Sequence, residues 1–185
     1  MGVQQRPRIP FAYWTIDLPP DLFAQQIQCA ADLGYRTYKY KVRPWWDIIE
    51  QAEHAAEHAP PGFKVWMDFN GHLRDAQQAI PILKELEQFD CIGGIESPIP
   101  QRDVPGYQRI RSAIDLPIAL HYGSGCCHVE SDPSYDKGVP AERQIHENLC
   151  DGFVLGGDTD TFGIDQVCYE NRKLFWIQAI GTSLR

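Results

Sequence analysis

The chain has 185 residues, 43% of them hydrophobic and 23% charged, and a formal net charge of -8. That length suits one domain with a real core, and the acidic balance excludes a nucleic-acid backbone or an anionic membrane surface as the main partner. No apolar run reaches the roughly 20 residues of a membrane-spanning helix, and the basic start from Met1 to Pro10 lacks the apolar stretch of a secretory signal, so a cytoplasmic location is expected.

A β-rich run followed by an amphipathic helical stretch recurs from end to end. Phe11 to Leu18 reads as a strand, broken by Pro19-Pro20; Asp21 can cap a helix to about Leu33, with Gly34 as its stop. Tyr35 to Val42 alternates and is aromatic, so it reads as a strand, and Pro44 opens a helix that Pro60-Pro61-Gly62 ends. Phe63 to Phe69 and Cys91 to Glu96 read as strands around a helix from Leu73 to Phe89. Tyr107 to Ile114 is helical, and Pro117 to His121 is a fifth strand. Gly123 to Gly138 is irregular and rich in turn residues. Pro140 to Leu149 is helical, Gly152 to Leu155 a sixth strand, Ile164 to Arg172 a helix and Leu174 to Ile180 a seventh strand.

Strands alternating with helices of this length mean parallel βαβ units. Polar residues close several strands (Lys41, Asp68 to Asn70, Glu96 and His121). A barrel gathers such residues on one face, whereas an open sheet spreads them along an edge. The expected fold is therefore α/β, an incomplete TIM-type (β/α) barrel of about seven parallel strands without the eighth.

The six cysteines, Cys29, Cys91, Cys126, Cys127, Cys150 and Cys168, show no CxxC spacing and read as reduced, small core hydrophobes. Adjacent cysteines rarely both reach one tetrahedral ion, which argues against a metal site at Cys126-Cys127-His128. His54, His58, His72, His128 and His146 read as surface or loop residues.

Lys39 and Lys41 are two apart in a strand, so both ammonium groups point to the same face. Two cations held close disfavour each other's charge and lower at least one pKa toward the range of a base; solvated lysines on a half-exposed strand are the plain alternative. Asp68 and Asn70 sit at the next strand end, where a turn would use the same residue types. Glu96 follows apolar residues at the fourth strand end and needs a partner, a structural ion pair with Lys39 or Lys41 being the plain alternative.

The lysine pair, Asp-x-Asn and Glu-x-Pro fall on successive strand ends about 25 to 30 residues apart. This order resembles the barrel domain of the enolase superfamily, in its mandelate racemase and muconate lactonizing branch. The resemblance implies that residues 11–185 form a partial barrel domain behind a short extension (1–10), without the family's capping domain. It implies Lys41 as the base removing the proton α to a substrate carboxylate, and Lys39 as its tuner and a second substrate contact. Asp68 and Glu96 become ligands of Mg²⁺, and Asn70 a substrate contact.

The third ligand, a carboxylate in the family, falls here on His121 or Tyr122; with His121, Mn²⁺ or another divalent ion becomes an option. The branch's Asp-His dyad is not matched: the sixth strand runs into Gly156-Gly157-Asp158, and the seventh has no histidine. The implied reaction is one-base chemistry on a small hydroxy or sugar acid, a dehydration (lyase) or isomerisation, with a homo-oligomer left open. A second reading keeps the fold as an inactive binding or interaction module. A third, an unrelated barrel with a phosphate site, leans on Gly156-Gly157 and Gly163.

Overall fold

The computed structural model describes residues 10–123, 138–156 and 161–177. Its elements alternate as the sequence pattern predicts: β1 (Tyr13–Ile16), α1 (Pro20–Asp32), β2 (Thr37–Lys41), α2 (Ile48–His58), β3 (Lys64–Asp68), α3 (Ala76–Leu86), β4 (Ile92–Glu96), α4 (Val104–Arg111), β5 (Ile118–His121), α5 (Ala141–His146), β6 (Gly152–Leu155), α6 (Thr161–Glu170) and β7 (Leu174–Ile177). All seven strands pair in parallel, in the order in which they occur in the chain.

The helix boundaries differ from the expectations for local reasons. Asp21 does not cap α1; Pro19 precedes the helix without a side-chain cap, and Asp21 lies in the first turn, where a carboxylate still complements the helix dipole. Pro44 does not open α2; the Asp47 carboxylate accepts from the amides of Ile49 and Glu50 and starts the helix three residues later. Asp75 and Asp103 cap α3 and α4 in the same manner, accepting from Gln78 and Gly106. Each cap takes up amides that the first turn leaves without a helical partner.

The two faces of the sheet differ in chemistry. Tyr38, Tyr40, Val65, Met67, Ile95, Ile118, Leu120, Phe153 and Leu155 alternate outward beneath the helices and are almost fully buried, forming the core with Phe23, Ile27, Leu83, Leu86 and Ile110. Inward positions follow the register Lys39↔Trp66↔Gly94 and Lys41↔Asp68↔Glu96↔Ala119. Trp66 of β3 meets Trp176 of β7 edge to face, with ring centroids 5.0 Å apart. In a flat sheet four strand spacings would separate them by about 19 Å, so the sheet curls. The described residues form a partial (β/α) barrel with β1 and β7 at its two edges. Trp14 and Ile16 on β1, and Leu174 and Ile177 on β7, are exposed there.

Gly94 makes this interior possible. A Cβ at Gly94 would lie 2.1 Å from the Trp66 ring, so only glycine lets the indole cross the floor of the barrel beneath the charged strand ends.

Two cysteine expectations need qualification. Cys150 and Cys168 are buried and Cys91 is half-buried, but Cys29 is exposed on α1. Cys126, Cys127 and His128 lie outside the described residues, as do Asp158 and the expected end of the seventh strand from Gln178 to Ile180. No described helix is long and apolar enough to cross a membrane.

Candidate active site

Lys41, Asp68, Asn70, Glu96 and His121 meet at one end of the barrel. Lys41, Asp68 and Glu96 are each the last residue of their strand and face one another in register. The ladder continues past them, with the Val42 amide donating to the Asp68 carbonyl and the Phe69 amide to the Glu96 carbonyl, at 2.8 and 2.9 Å. Asn70 and Ser97 then turn the chain away with φ of 48° and 46°. Asparagine takes this left-handed conformation readily and serine less so, which stores strain at two adjacent strand ends.

The side chains form one ionic cluster. Lys41 Nζ donates to Asp68 Oδ2 at 2.7 Å and to Asn70 Oδ1 at 2.9 Å. Lys39 Nζ lies 2.7 Å from Glu96 Oε2 and 3.4 Å from Asp68 Oδ2. His121 Nε2 lies 3.4 Å from Glu96 Oε1. Asp68 and Glu96 are wholly buried, whereas the lysine side chains keep a small exposure of 11% and 13%. Two cations thus balance two carboxylates, a requirement for holding charge in a low-dielectric interior.

This balance sets the protonation. Burial pulls the Lys39 pKa down, but the charges of Glu96 and Asp68 outweigh it and hold the ammonium above its ordinary value. The expected depression of a lysine by its neighbour is therefore not seen at Lys39, where the two carboxylates prevail. Burial raises the Asp68 carboxyl, yet Lys39 and Lys41 more than offset it and bring the pKa down to about 2. Glu96 moves the other way: burial and the charge of Asp68 raise it in spite of His121 and Lys39.

Two buried carboxylates this close drive each other apart in acidity. The hard oxygens of Asp68 and Glu96 suit a divalent cation, and a positive group, the Lys39 ammonium, already bridges them. The carboxylate pair therefore fits Mg²⁺. His121 fits less well: among the described residues, the donor atoms of Asp68, Glu96 and His121 do not all lie within 4.8 Å of one another, and an imidazole suits a softer ion.

Of the two residues considered for the third position, His121 faces the cluster. Tyr122 turns to the other side, where its ring packs edge to face on Phe153 at 5.1 Å. Sequence reasoning missed what holds His121. Buried Gln101 accepts from the His121 amide at 2.8 Å and donates to its carbonyl at 3.1 Å, while buried Gln144 donates to the same carbonyl at 2.9 Å. Ser97 Oγ donates to Gln101 Oε1, tying the β4 end to the β5 end. Nothing in local sequence marks these two glutamines; only two buried amides facing one strand end reveal them.

The arrangement can hold an anion's countercharge, orient one lysine at a strand tip and keep an imidazole beside a carboxylate. The comparisons agree with the fold that carries it. No curated protein matches the chain. Among solved structures, a mandelate racemase/muconate lactonizing family protein from Azoarcus sp. EbN1 superposes with a TM-score of 0.79 at 17% identity, covering 97% of this chain and 46% of that one. The N-succinyl Arg/Lys racemase from Bacillus cereus ATCC 14579 gives 0.74 at 16% identity, covering 92% and 45%. An enolase from Bradyrhizobium, complexed with magnesium and mandelic acid, gives 0.73 at 17% identity, covering 93% and 46%. The chain thus spans less than half the length of these structures. The family model for the enolase C-terminal domain-like fold matches residues 22–122, more than half of the sequence, and the chain belongs to that family, in its mandelate racemase and muconate lactonizing branch.

Proposed function

We propose that this chain carries the acid–base side of a Mg²⁺-dependent reaction that removes the proton α to the carboxylate of a small hydroxy or sugar acid, leading to dehydration or isomerisation. One observation carries the reading: Lys41, Lys39, Asp68 and Glu96 come from three strands and form one buried, charge-balanced cluster at the strand ends. Barrel enzymes build their sites on that face.

Lys41 is the base. In its neutral form Nζ, held by Asp68 and Asn70 at the tip of β2, would take the proton from carbon and become the ammonium that Asp68 pairs with. Lys39 neutralises the substrate carboxylate beside Lys41, and Asn70 contacts the substrate from the β3 end. Asp68 and Glu96 would hold Mg²⁺, which when bound supplies electrostatic stabilisation of the negative charge developing on the carboxylate. His121, on the Glu96 side of the cluster, would act as an acid or as a further ligand for Mn²⁺ or another divalent ion.

A second reading, a chain that keeps the fold and binds without catalysing, draws on the fact that Lys39 already neutralises both carboxylates. Solvent deuterium exchange into a panel of hydroxy and sugar acids, with Mg²⁺, separates the two. Exchange by wild type that Lys41→Ala abolishes supports the base assignment. Equal exchange in both removes Lys41 from it, and none in either favours the binding module.

A further inference from the structure

Away from the strand ends, on the outer ring of helices, the last two turns of α2 bring His54, Glu57 and His58 together, with one donor atom of each within 4.8 Å of the others. We propose that this face binds a late first-row divalent cation, with Zn²⁺ as the reference ion. Residues three and four apart share one face of a helix, and two imidazoles with one carboxylate form a three-ligand set that Zn²⁺ accepts, leaving a fourth position for water.

Three features beyond proximity point to a cation. First, His58 Nδ1 lies 2.9 Å from the His54 carbonyl. A carbonyl only accepts, so Nδ1 carries the proton and the lone pair is left on Nε2, the same orienting bond that ligating histidines use. Second, His54 Nδ1 is buried with no hydrogen-bond partner among the described residues, which leaves this imidazole without a structural role for that nitrogen. Third, α2 reads IIEQAEHAAEH, with Glu50, Glu53 and Glu57 and no lysine or arginine. The cluster sits at the helix C-terminus, where the backbone dipole favours positive charge. None of the three residues forms an ion pair among the described residues.

The site is independent of the proposed reaction: α2 packs outside the sheet against α1, and its ligands are not on the strand ends. Calorimetric titration of the whole chain with ZnCl₂ tests it, using wild type, His58→Ala, Glu57→Gln and His121→Ala. His58 and Glu57 are exposed, so both variants should fold. Bound zinc is expected to fall by one equivalent, or its affinity by more than about tenfold, in His58→Ala. That loss exceeds the lower end of what an outer-shell change costs a metal site. Glu57→Gln should weaken the same equivalent and His121→Ala should leave it unchanged. Identical titrations of wild type and His58→Ala, or loss of the equivalent only in His121→Ala, would overturn the proposal.

Discussion

Replacing Asp68 by asparagine keeps the side chain's shape and removes the charge on which both lysines depend. In the wild type, Asp68 Oδ2 lies 2.7 Å from Lys41 Nζ and 3.4 Å from Lys39 Nζ, and the carboxylate is fully buried. Removing one partner of a buried ion pair costs about 3–5 kcal/mol. Three features hold this case to the low end. Lys41 keeps enough exposure to turn toward water, Lys39 keeps Glu96 at 2.7 Å, and the Asn70 amide can still donate to the asparagine oxygen as it does to Asp68 Oδ1. The expected loss is about 3 kcal/mol near neutral pH.

The pH dependence supplies a second, independent magnitude. The Asp68 pKa falls on folding from an ordinary 3.8 to about 2, because the two lysines outweigh the effect of burial. A carboxyl depressed in this way adds stability that is complete above its unfolded pKa and is lost as pH falls through the folded value. The shift is worth roughly 2 kcal/mol. Urea unfolding followed by tryptophan fluorescence should therefore show the gap between wild type and Asp68→Asn narrowing by about 1–2 kcal/mol as pH drops from neutral toward about 2.5. Equal urea midpoints at neutral pH, or a gap that does not narrow in acid, would refute the reasoning.

The same geometry yields three further expectations. Lys39→Met removes the cation between Asp68 and Glu96, so Mg²⁺ should raise the melting temperature of Lys39→Met more than that of wild type; equal shifts measured by calorimetry would count against a shared cation position. Gly94→Val drives a side chain into the Trp66 ring and should cost about 1–3 kcal/mol, with much of the loss recovered in the Trp66→Ala background; additive losses in urea melts would show that the contact is not responsible. Gln101→Ala leaves the His121 amide without the acceptor that now holds it and should cost about 1–3 kcal/mol, whereas Gln108→Ala on the exposed side of α4 should cost almost nothing.

Most of the fold was legible because period and punctuation agreed. The run TYKYK alternates on a buried strand, and Pro19-Pro20, Gly34 and Gly62 fall at element ends. Helix starts were less legible, since several residues able to cap stand near each one. Asp47 prevails over Pro44 because its carboxylate reaches two amides at once. The meeting of Lys41, Asp68 and Glu96 was legible only from their combination, since each alone is ordinary and the three recur about one βα unit apart on successive strand ends. The choice between His121 and Tyr122 depended on a one-residue register; the fold turns His121 toward Glu96 and Tyr122 onto Phe153. The support beneath the site was not legible, since Gln101, Gln144 and the Trp66–Gly94 fit depend on contacts between elements far apart in sequence.

The division of the sheet into two chemical faces explains why this cluster can be held at all. Hydrophobic burial beneath the helices occupies the outward side chains, so the apolar core is built without the inward ones. That leaves the strand ends free to carry charge, provided the charge sums to nearly zero; Lys39, Lys41, Asp68 and Glu96 meet that condition among themselves. A balanced cluster also resists single changes more than paired ones. Asp68→Asn leaves a surplus cation in a buried setting, whereas Asp68→Asn with Lys41→Met removes one charge of each sign. The double variant should therefore recover part of the roughly 3 kcal/mol lost by the single one. Such a coupling would identify the cluster as one electrostatic unit, on which any ion or substrate must act as a whole.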